Sequence, residues 1–226
     1  MSKKCFSLLA FVVIISIGFF SNTQGQAKKS YVLAILSVNA ESFSLSEHEK
    51  NSIQKKHAAN IRALMEQGKL LVVGPFEGGG GIYVFKPDSK ESIVEILNED
   101  PAVKANRFNV EVFNWTPRIG NVCSTDTAAE ALKYNFVRYE FNIYKATVRK
   151  LPELLDQHKE HLKSFESSGV IVIEGYFDNN EGEILLCKKD TDLDALIGRD
   201  PTVMNGFMIP EIRSLFVSEG SFCERY

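Results

Sequence analysis

The chain has 226 residues, of which 44% are hydrophobic, so it can bury a core and is not disordered by composition. Its formal net charge is -3, with 26 basic residues spread among 29 acidic ones and no polybasic run. This balance gives no electrostatic reason to expect a nucleic acid or an anionic membrane as a partner.

The first residues have the pattern of an export signal. Lys3 and Lys4 form a positively charged start, an apolar run follows over residues 6–20, and residues 21–25 are polar and suited to cleavage. The apolar run is shorter than the roughly 20 residues that a membrane-spanning helix needs. We predict a signal peptide over residues 1–26, a secreted or periplasmic protein, and no stable membrane insertion after cleavage. A retained single-pass anchor is the alternative.

The remaining chain shows two runs of the order strand–helix–strand–strand–helix–strand, which is the ferredoxin-like arrangement. Aliphatic and β-branched runs indicate the strands, and apolar residues three or four apart indicate the helices. In the first run we predict strands at residues 31–38, 70–73, 82–85 and 108–115, and helices at 44–67 and from Asp88, with Asp88 as the N-cap of the second helix. In the second run we predict strands near residues 137–144, 170–173, 184–186 and 209–216, and helices at 151–168 and from Thr191.

A set of marked residues recurs with nearly constant spacing, which supports a repeat. In both copies 11 positions separate a His from a Gly, a second Gly comes 6 positions later, and an Asp-Pro pair follows. The two sets are His57, Gly68, Gly74 and Asp100-Pro101, and His158, Gly169, Gly175 and Asp200-Pro201. A period near 100 suits a duplicated small domain. We predict domains at residues 27–118 and 134–226, joined by a linker at 119–133.

A four-stranded sheet with both helices on one face leaves its other face apolar and uncovered. Packing two such sheets face to face covers both. We therefore predict the α+β class, with two tandem ferredoxin-like (βαββαβ) domains packed as an intramolecular dimeric α+β barrel. This arrangement neither requires nor excludes a true homo-oligomer.

The cysteines support a close approach of the two repeats. Cys123 and Cys223 each lie 23 residues beyond the Asp of their own repeat, and equivalent termini related by a pseudo-twofold axis can meet. We predict a disulfide between them, since disulfides persist outside the cytoplasm. Cys187 lies in an apolar run and is predicted to be a buried free thiol.

His57 and His158 each lie on the apolar stripe of a predicted helix. A buried imidazole needs a hydrogen-bond partner, and the recurring candidates are Asp100 and Asp200. Such a carboxylate would orient the ring as a general base near neutral pH. The simpler interpretation stays open: Asp before Pro is an ordinary helix N-cap, and each His is a satisfied core residue. One carboxylate has two oxygens, so both roles are compatible.

The sequence gives weak support to other kinds of site. His158 and His161 are three residues apart and could share a metal, but no third ligand with recognisable spacing accompanies them. The glycine run at residues 78–81 lacks the Lys-Ser/Thr pair and the helix that follow a phosphate-binding loop, so we interpret it as a hairpin. We predict neither a metal nor a cofactor.

The stretch from His57 through Gly-Lys-Leu-Leu-x-x-Gly-Pro at residues 68–75 to Asp100-Pro101 resembles the YCII-related family. The resemblance covers residues 31–118 well and residues 134–217 more weakly. It implies small ferredoxin-like proteins that pair as dimeric α+β barrels, with a His and an Asp as the active-site pair. Here these are His57 with Asp100, and His158 with Asp200. One related enzyme class eliminates HCl from a chlorinated hydroxyhydroquinone.

Three functions follow as hypotheses. The first is a cofactor-free elimination or isomerisation of a small cyclic or aromatic acid or lactone, with His57 and His158 as proton-transfer groups. The second is non-catalytic binding of a small ligand between the sheets, and the third is a structural protein with a vestigial site. A His–Asp contact beside an open pocket would favour the first two.

Overall fold

The computed structural model describes residues 29–123, 129–142, 144–145 and 150–223. The predicted signal peptide, residues 1–26, lies outside these ranges, as do residues 124–128 of the predicted linker. Within the ranges that are described, no helix is long and apolar enough to cross a membrane.

Both halves follow an order consistent with the ferredoxin-like arrangement. The first half contains β1 (Tyr31–Val38), a 3-10 helix (Ala40–Ser44), α1 (Glu47–Glu66), β2 (Leu70–Pro75), β3 (Gly81–Phe85), α2 (Lys90–Asn98), α3 (Pro101–Lys104), β4 (Phe108–Ile119) and β5 (Asn121–Val122). The second contains β6 (Ala131–Phe141), α4 (Leu151–Ser164), β7 (Ile171–Phe177), β8 (Glu183–Lys188), α5 (Pro201–Met204), β9 (Met208–Ser218) and β10 (Phe222–Cys223). It also has short 3-10 helices at Glu166–Ser168 and Asp178–Asn180 and a π-helical turn at Asp194–Gly198.

Local capping explains where α1 and α2 begin. Ser46 caps α1 by accepting the Glu49 N–H, and the Glu49 carboxylate accepts the Ser46 N–H at 2.9 Å, which completes a capping box. The prediction that Asp88 caps α2 is wrong by one residue. Ser89 is the N-cap and accepts the Ser92 N–H at 3.1 Å, while Asp88 accepts the N–H of Ser89.

Strand pairing makes two strands longer than the residue types alone predicted. β4 continues to Ile119, because its last part pairs with β7. β6 begins at Ala131, opposite Ser218 of β9, instead of near residue 137. Part of the predicted linker at residues 119–133 is therefore strand.

Eight strands form a single antiparallel sheet in the order β2-β3-β1-β4-β7-β8-β6-β9. The central β4–β7 pair joins the halves. The edge strands β2 and β9 come together beyond the end of β2, where Phe76 and Leu215 form an isolated antiparallel bridge. There the Glu77 N–H donates to the Ser214 carbonyl at 2.9 Å.

The alternation of side chains along β1 shows how the core is divided. Leu33 and Ile35 enter a cluster that contains apolar residues of both halves, in which Phe113 stacks on Phe177 with ring centroids 4.1 Å apart. Ala34, between them, packs in a second cluster with the buried side of α1 and α2. A third cluster lies beneath the helices of the second half. α1 and α4 cover the helix-facing side of the sheet. Each of these helices has a buried histidine, His57 in α1 and His158 in α4.

The small β5–β10 pair brings two cysteines together. Cys223 pairs with Asn121 across this ladder, and the Cα atoms of Cys123 and Cys223 are 6.0 Å apart, within the range that a disulfide spans. Cys187 is buried and free, as predicted.

Candidate functional site

In the first half, a helix side chain meets a helix cap. His57 lies on the buried face of α1 and is 5% exposed, and its Nδ1 is 2.8 Å from Oδ1 of Asp100. Asp100 is the N-cap of α3, where it accepts the Ala102 N–H at 2.8 Å and the Val103 N–H at 3.3 Å. The carboxylate thus caps one helix and holds an imidazole of another.

Asn60, one turn after His57, supplies a further bond to this carboxylate. Its Nδ2 donates to Oδ2 of Asp100 at 2.8 Å. Burial alone would raise the pKa of Asp100, but the hydrogen bonds from His57 and Asn60 outweigh burial and lower it. The ionised Asp100 can only accept, so Nδ1 of His57 carries a hydrogen and donates it. In the neutral ring, Nε2 is then left with its lone pair.

Tyr83 of β3 completes the arrangement. Its hydroxyl is 3.1 Å from Nε2 of His57. Burial, assisted by the charge of Asp100, raises the pKa of Tyr83 far above its usual range, so the phenol keeps its proton and can donate it to Nε2. Sequence reasoning missed Tyr83. Its only signal is a hydroxyl on the helix-facing side of an apolar strand.

A cavity of about 510 Å³ opens onto His57 and Tyr83. Its apolar wall comes from β1, β2, α1 and the start of β4, through Leu36, Val38, Ile61, Val73 and Phe108. Lys50 and Arg107 are the charged side chains of the lining, which holds no Asp or Glu among the described residues.

The predicted hairpin at residues 78–81 forms one wall of this cavity. Gly80 has φ +75°, and a Cβ there would lie 2.1 Å from the Leu36 carbonyl oxygen. Only glycine allows the loop to approach β1 this closely. The loop therefore shapes the cavity as well as joining two strands.

Residues 32–116 match the YCII-related domain. The matched segment begins in β1, ends in β4, and contains the complete His57 site. The second half lies outside it. Among curated proteins, none matches the chain significantly.

Two solved structures are similar to this one at low identity. A putative monooxygenase from Lactobacillus acidophilus is 12% identical, with a TM-score of 0.46, and the likeness covers 88% of this chain and 97% of that one. A putative monooxygenase from Fusobacterium nucleatum is 10% identical, with a TM-score of 0.47, and the likeness covers 88% of this chain and 96% of that one.

The second His–Asp pair is built like the first: a carboxylate that caps a short helix also bonds to Nδ1 of a histidine. Nδ1 of His158 is 2.6 Å from Oδ2 of Asp200, and both side chains are fully buried. Asp200 caps α5 and accepts the backbone N–H and the hydroxyl of Thr202 at 2.8 and 2.6 Å. The structure therefore brings together each His with the Asp that the sequence assigned to it.

The free nitrogen of His158 has a different partner. Its Nε2 is 3.0 Å from Oε2 of Glu183, which also pairs with Arg118. Arg118 in turn donates to both carboxylate oxygens of Glu174, at 2.6 to 3.2 Å. Burial would lower the pKa of His158, but its bonds to Asp200 and Glu183 raise it to about 9. The ring is thus an imidazolium at neutral pH, with both nitrogens bonded to carboxylates.

The neighbouring cavity does not reach His158. It measures about 420 Å³ and is lined by Arg118, Tyr176 and Glu183 among others, with the imidazole behind them. Sequence reasoning missed this chain of charges. Its signal is a single Glu in each of two mainly apolar strands, Glu174 in β7 and Glu183 in β8.

The metal site considered for His161 does not form. Its Nε2 donates to the Leu196 carbonyl at 2.9 Å. In the part of the chain that the structure describes, no group of three or more His, Cys, Asp or Glu side chains could hold a metal ion.

Proposed function

We propose that this chain is an exported protein in which two copies of one ferredoxin-like domain pack as an intramolecular α+β barrel. The shared order of elements, the recurring His–Asp pairs and the apolar cluster common to both halves support the proposal. So does the Phe76–Leu215 bridge between the edge strands of the sheet. We place the domains at residues 27–118 and 134–226, with residues 119–133 between them, which include the end of β4, β5 and the start of β6.

The N-terminal pattern supports a signal peptide over residues 1–26 and a secreted or periplasmic location. The predicted Cys123–Cys223 disulfide would be stable in such a compartment. Mass spectrometry of the protein expressed with its leader tests the location. The expected product starts near residue 27, whereas a retained Met1 would contradict the proposal.

For the YCII-related domain we propose a cofactor-free lyase or isomerase that acts on a small cyclic or aromatic acid or lactone. One observation carries this proposal: the Tyr83–His57–Asp100 line opens onto a cavity of ligand size. His57 has one nitrogen held by a carboxylate, and its other nitrogen bonds to the hydroxyl of Tyr83, which lines the same cavity; this is an arrangement that a general base can use.

The geometry suggests a sequence of proton movements. The Tyr83 hydroxyl turns from Nε2 of His57 to the carbonyl oxygen of the substrate. The freed Nε2 takes a proton from the carbon next to that carbonyl, and the carboxylate of Asp100 stabilises the imidazolium that forms. The Tyr83 hydroxyl then donates to the carbonyl oxygen, which gains the electron pair. Return of the proton to another atom completes an isomerisation. Departure of a leaving group with the electron pair completes an elimination.

We assign catalysis to the His57 pair and leave His158 and Asp200 outside it. His158 Nε2 already bonds to Glu183, and the ring is charged and sealed from the cavity, so it has no lone pair for a substrate. The second pair then belongs to a buried chain of charges, which reaches Arg118 of the first half through Glu183.

Solvent exchange tests the assignment for any substrate of this class, whatever product is formed. Small cyclic and aromatic acids and lactones are incubated with the protein in D₂O, and NMR follows deuterium entry next to their carbonyl groups. We expect exchange with the wild type, a loss of about 100-fold or more in His57→Gln, and retention in His158→Gln. Melting shifts without exchange in the wild type would reject catalysis and support a ligand-binding protein.

A further inference from the structure

We infer that the cavity beside His57 binds its ligand through a carboxylate, and that Arg107 is the residue that receives it. The inference rests on the proposed function and deepens it, because it selects an acid over a lactone.

The charges of the lining are the first argument. Arg107 donates from Nη1 to Oε1 of Gln54 at 3.0 Å and lies over the Phe108 ring at 5.6 Å, but among the described residues it forms no ion pair. Lys50 pairs with Glu47, whose side chain is 83% exposed, so this pair is weak. The cavity thus presents two cations, and Arg107 keeps donors that suit a carboxylate.

The second half supplies an internal comparison. There the carboxylate of Glu183 lies between the imidazole of His158 and the guanidinium of Arg118. A ligand carboxylate in the first cavity would take the corresponding place beside the guanidinium of Arg107. The second half therefore carries in Glu183 the carboxylate group that we infer for the ligand of the first half.

The correspondence of Glu183 with the first residue of β3 follows from backbone contacts. The carbonyl of Gly80 accepts the Phe76 N–H at 3.1 Å, and the carbonyl of Gly182 accepts the Phe177 N–H at 2.8 Å. A Cβ on either glycine would meet a carbonyl oxygen of the neighbouring strand, Leu36 or Tyr139. The residue after each glycine is Gly81 in the first half and Glu183 in the second.

This difference explains why one site is open and the other is filled. Gly81 has no side chain and lines the cavity, so no carboxylate of the chain enters the cavity from this position. The space remains as part of the cavity. Its apolar wall of Leu36, Val38 and Phe108 fits a ring or short hydrocarbon body behind the carboxylate.

Benzoate and benzamide are matched probes, since they differ in charge and share the ring. Calorimetric titration of the full mature protein should show benzoate binding at least about tenfold more tightly than benzamide. Arg107→Gln should remove that preference. Arg107→Lys, which keeps the charge without the planar fork, should lose less. Arg199→Gln is the control, because Arg199 is an exposed arginine of the second half that pairs with Asp194.

Three results would overturn the inference. They are equal binding of the two probes, an unchanged preference in folded Arg107→Gln, and inorganic phosphate binding more tightly than benzoate. Circular dichroism establishes that each variant is folded before titration. Arg107-dependent benzoate binding without deuterium exchange in any acid would keep this inference and reject the proposed catalysis. Exchange that is insensitive to Arg107→Gln would keep the catalysis and reject the inference.

Discussion

His158 holds a proton in the folded protein at pH values where the unfolded chain has lost it. Its pKa rises from an ordinary 6.5 to about 9, because the bonds to Asp200 and Glu183 outweigh the effect of burial. Between these values the folded state binds more protons than the unfolded state. The stability that His158 contributes is therefore fully present below pH 6.5 and is lost as the pH rises toward 9. This difference in pKa corresponds to about 3 kcal/mol of unfolding free energy, of which about 2 kcal/mol is lost between pH 7 and 9.

Urea denaturation at pH 7, 8 and 9 measures this contribution. The wild type is expected to lose about 2 kcal/mol of unfolding free energy across the range. Glu174, whose burial raises its pKa to about 7, acts mainly below this window. His158→Gln should give a nearly flat profile, although it is less stable at every pH because two buried carboxylates lose their partner. The slope is the readout, so the lower absolute stability does not obscure it.

His57→Gln is the matched control, because it retains His158 and should retain the wild-type slope. A flat profile in the wild type would refute the buried imidazolium. A slope that survives His158→Gln would show that another group carries the pH dependence.

Three further predictions concern the stability of the fold. Asp100→Ala should lower the unfolding free energy by about 3 kcal/mol, because α3 loses its cap and His57 loses its partner. The urea midpoint should shift while the slope m stays constant. Gly175→Ala should cost more stability than Gly74→Ala in the same assay, because its Cβ would lie 2.5 Å from a β4 backbone oxygen, whereas the other meets side-chain methyls at 3.1 Å. Reduction or Cys123→Ser should cost roughly 4–5 kcal/mol, since the bridge would close a 100-residue loop. An unchanged urea midpoint in any of these variants would contradict the corresponding prediction.

Sequence reasoning was reliable where the physics is local. Strand and helix periodicities predicted the element order in both halves, although Asp88 was one residue away from the true cap and β6 began earlier than predicted. The Asp-Pro pairs identified two N-caps, and the constant spacing from each His identified its partner. These features depend on residues within a turn, or on a pattern that occurs twice in one chain.

The pairing of the eight strands and the difference between the two histidines depend on contacts between distant residues. Tyr83 reaches His57 because β3 lies beneath α1, and nothing in the strand's own sequence shows this. Arg118 meets Glu183 because β4 of one half pairs with β7 of the other. From the sequence alone His57 and His158 are equivalent. Only the tertiary structure shows that a phenol meets Nε2 of His57 beside an open cavity, while a carboxylate meets Nε2 of His158 and holds that ring charged.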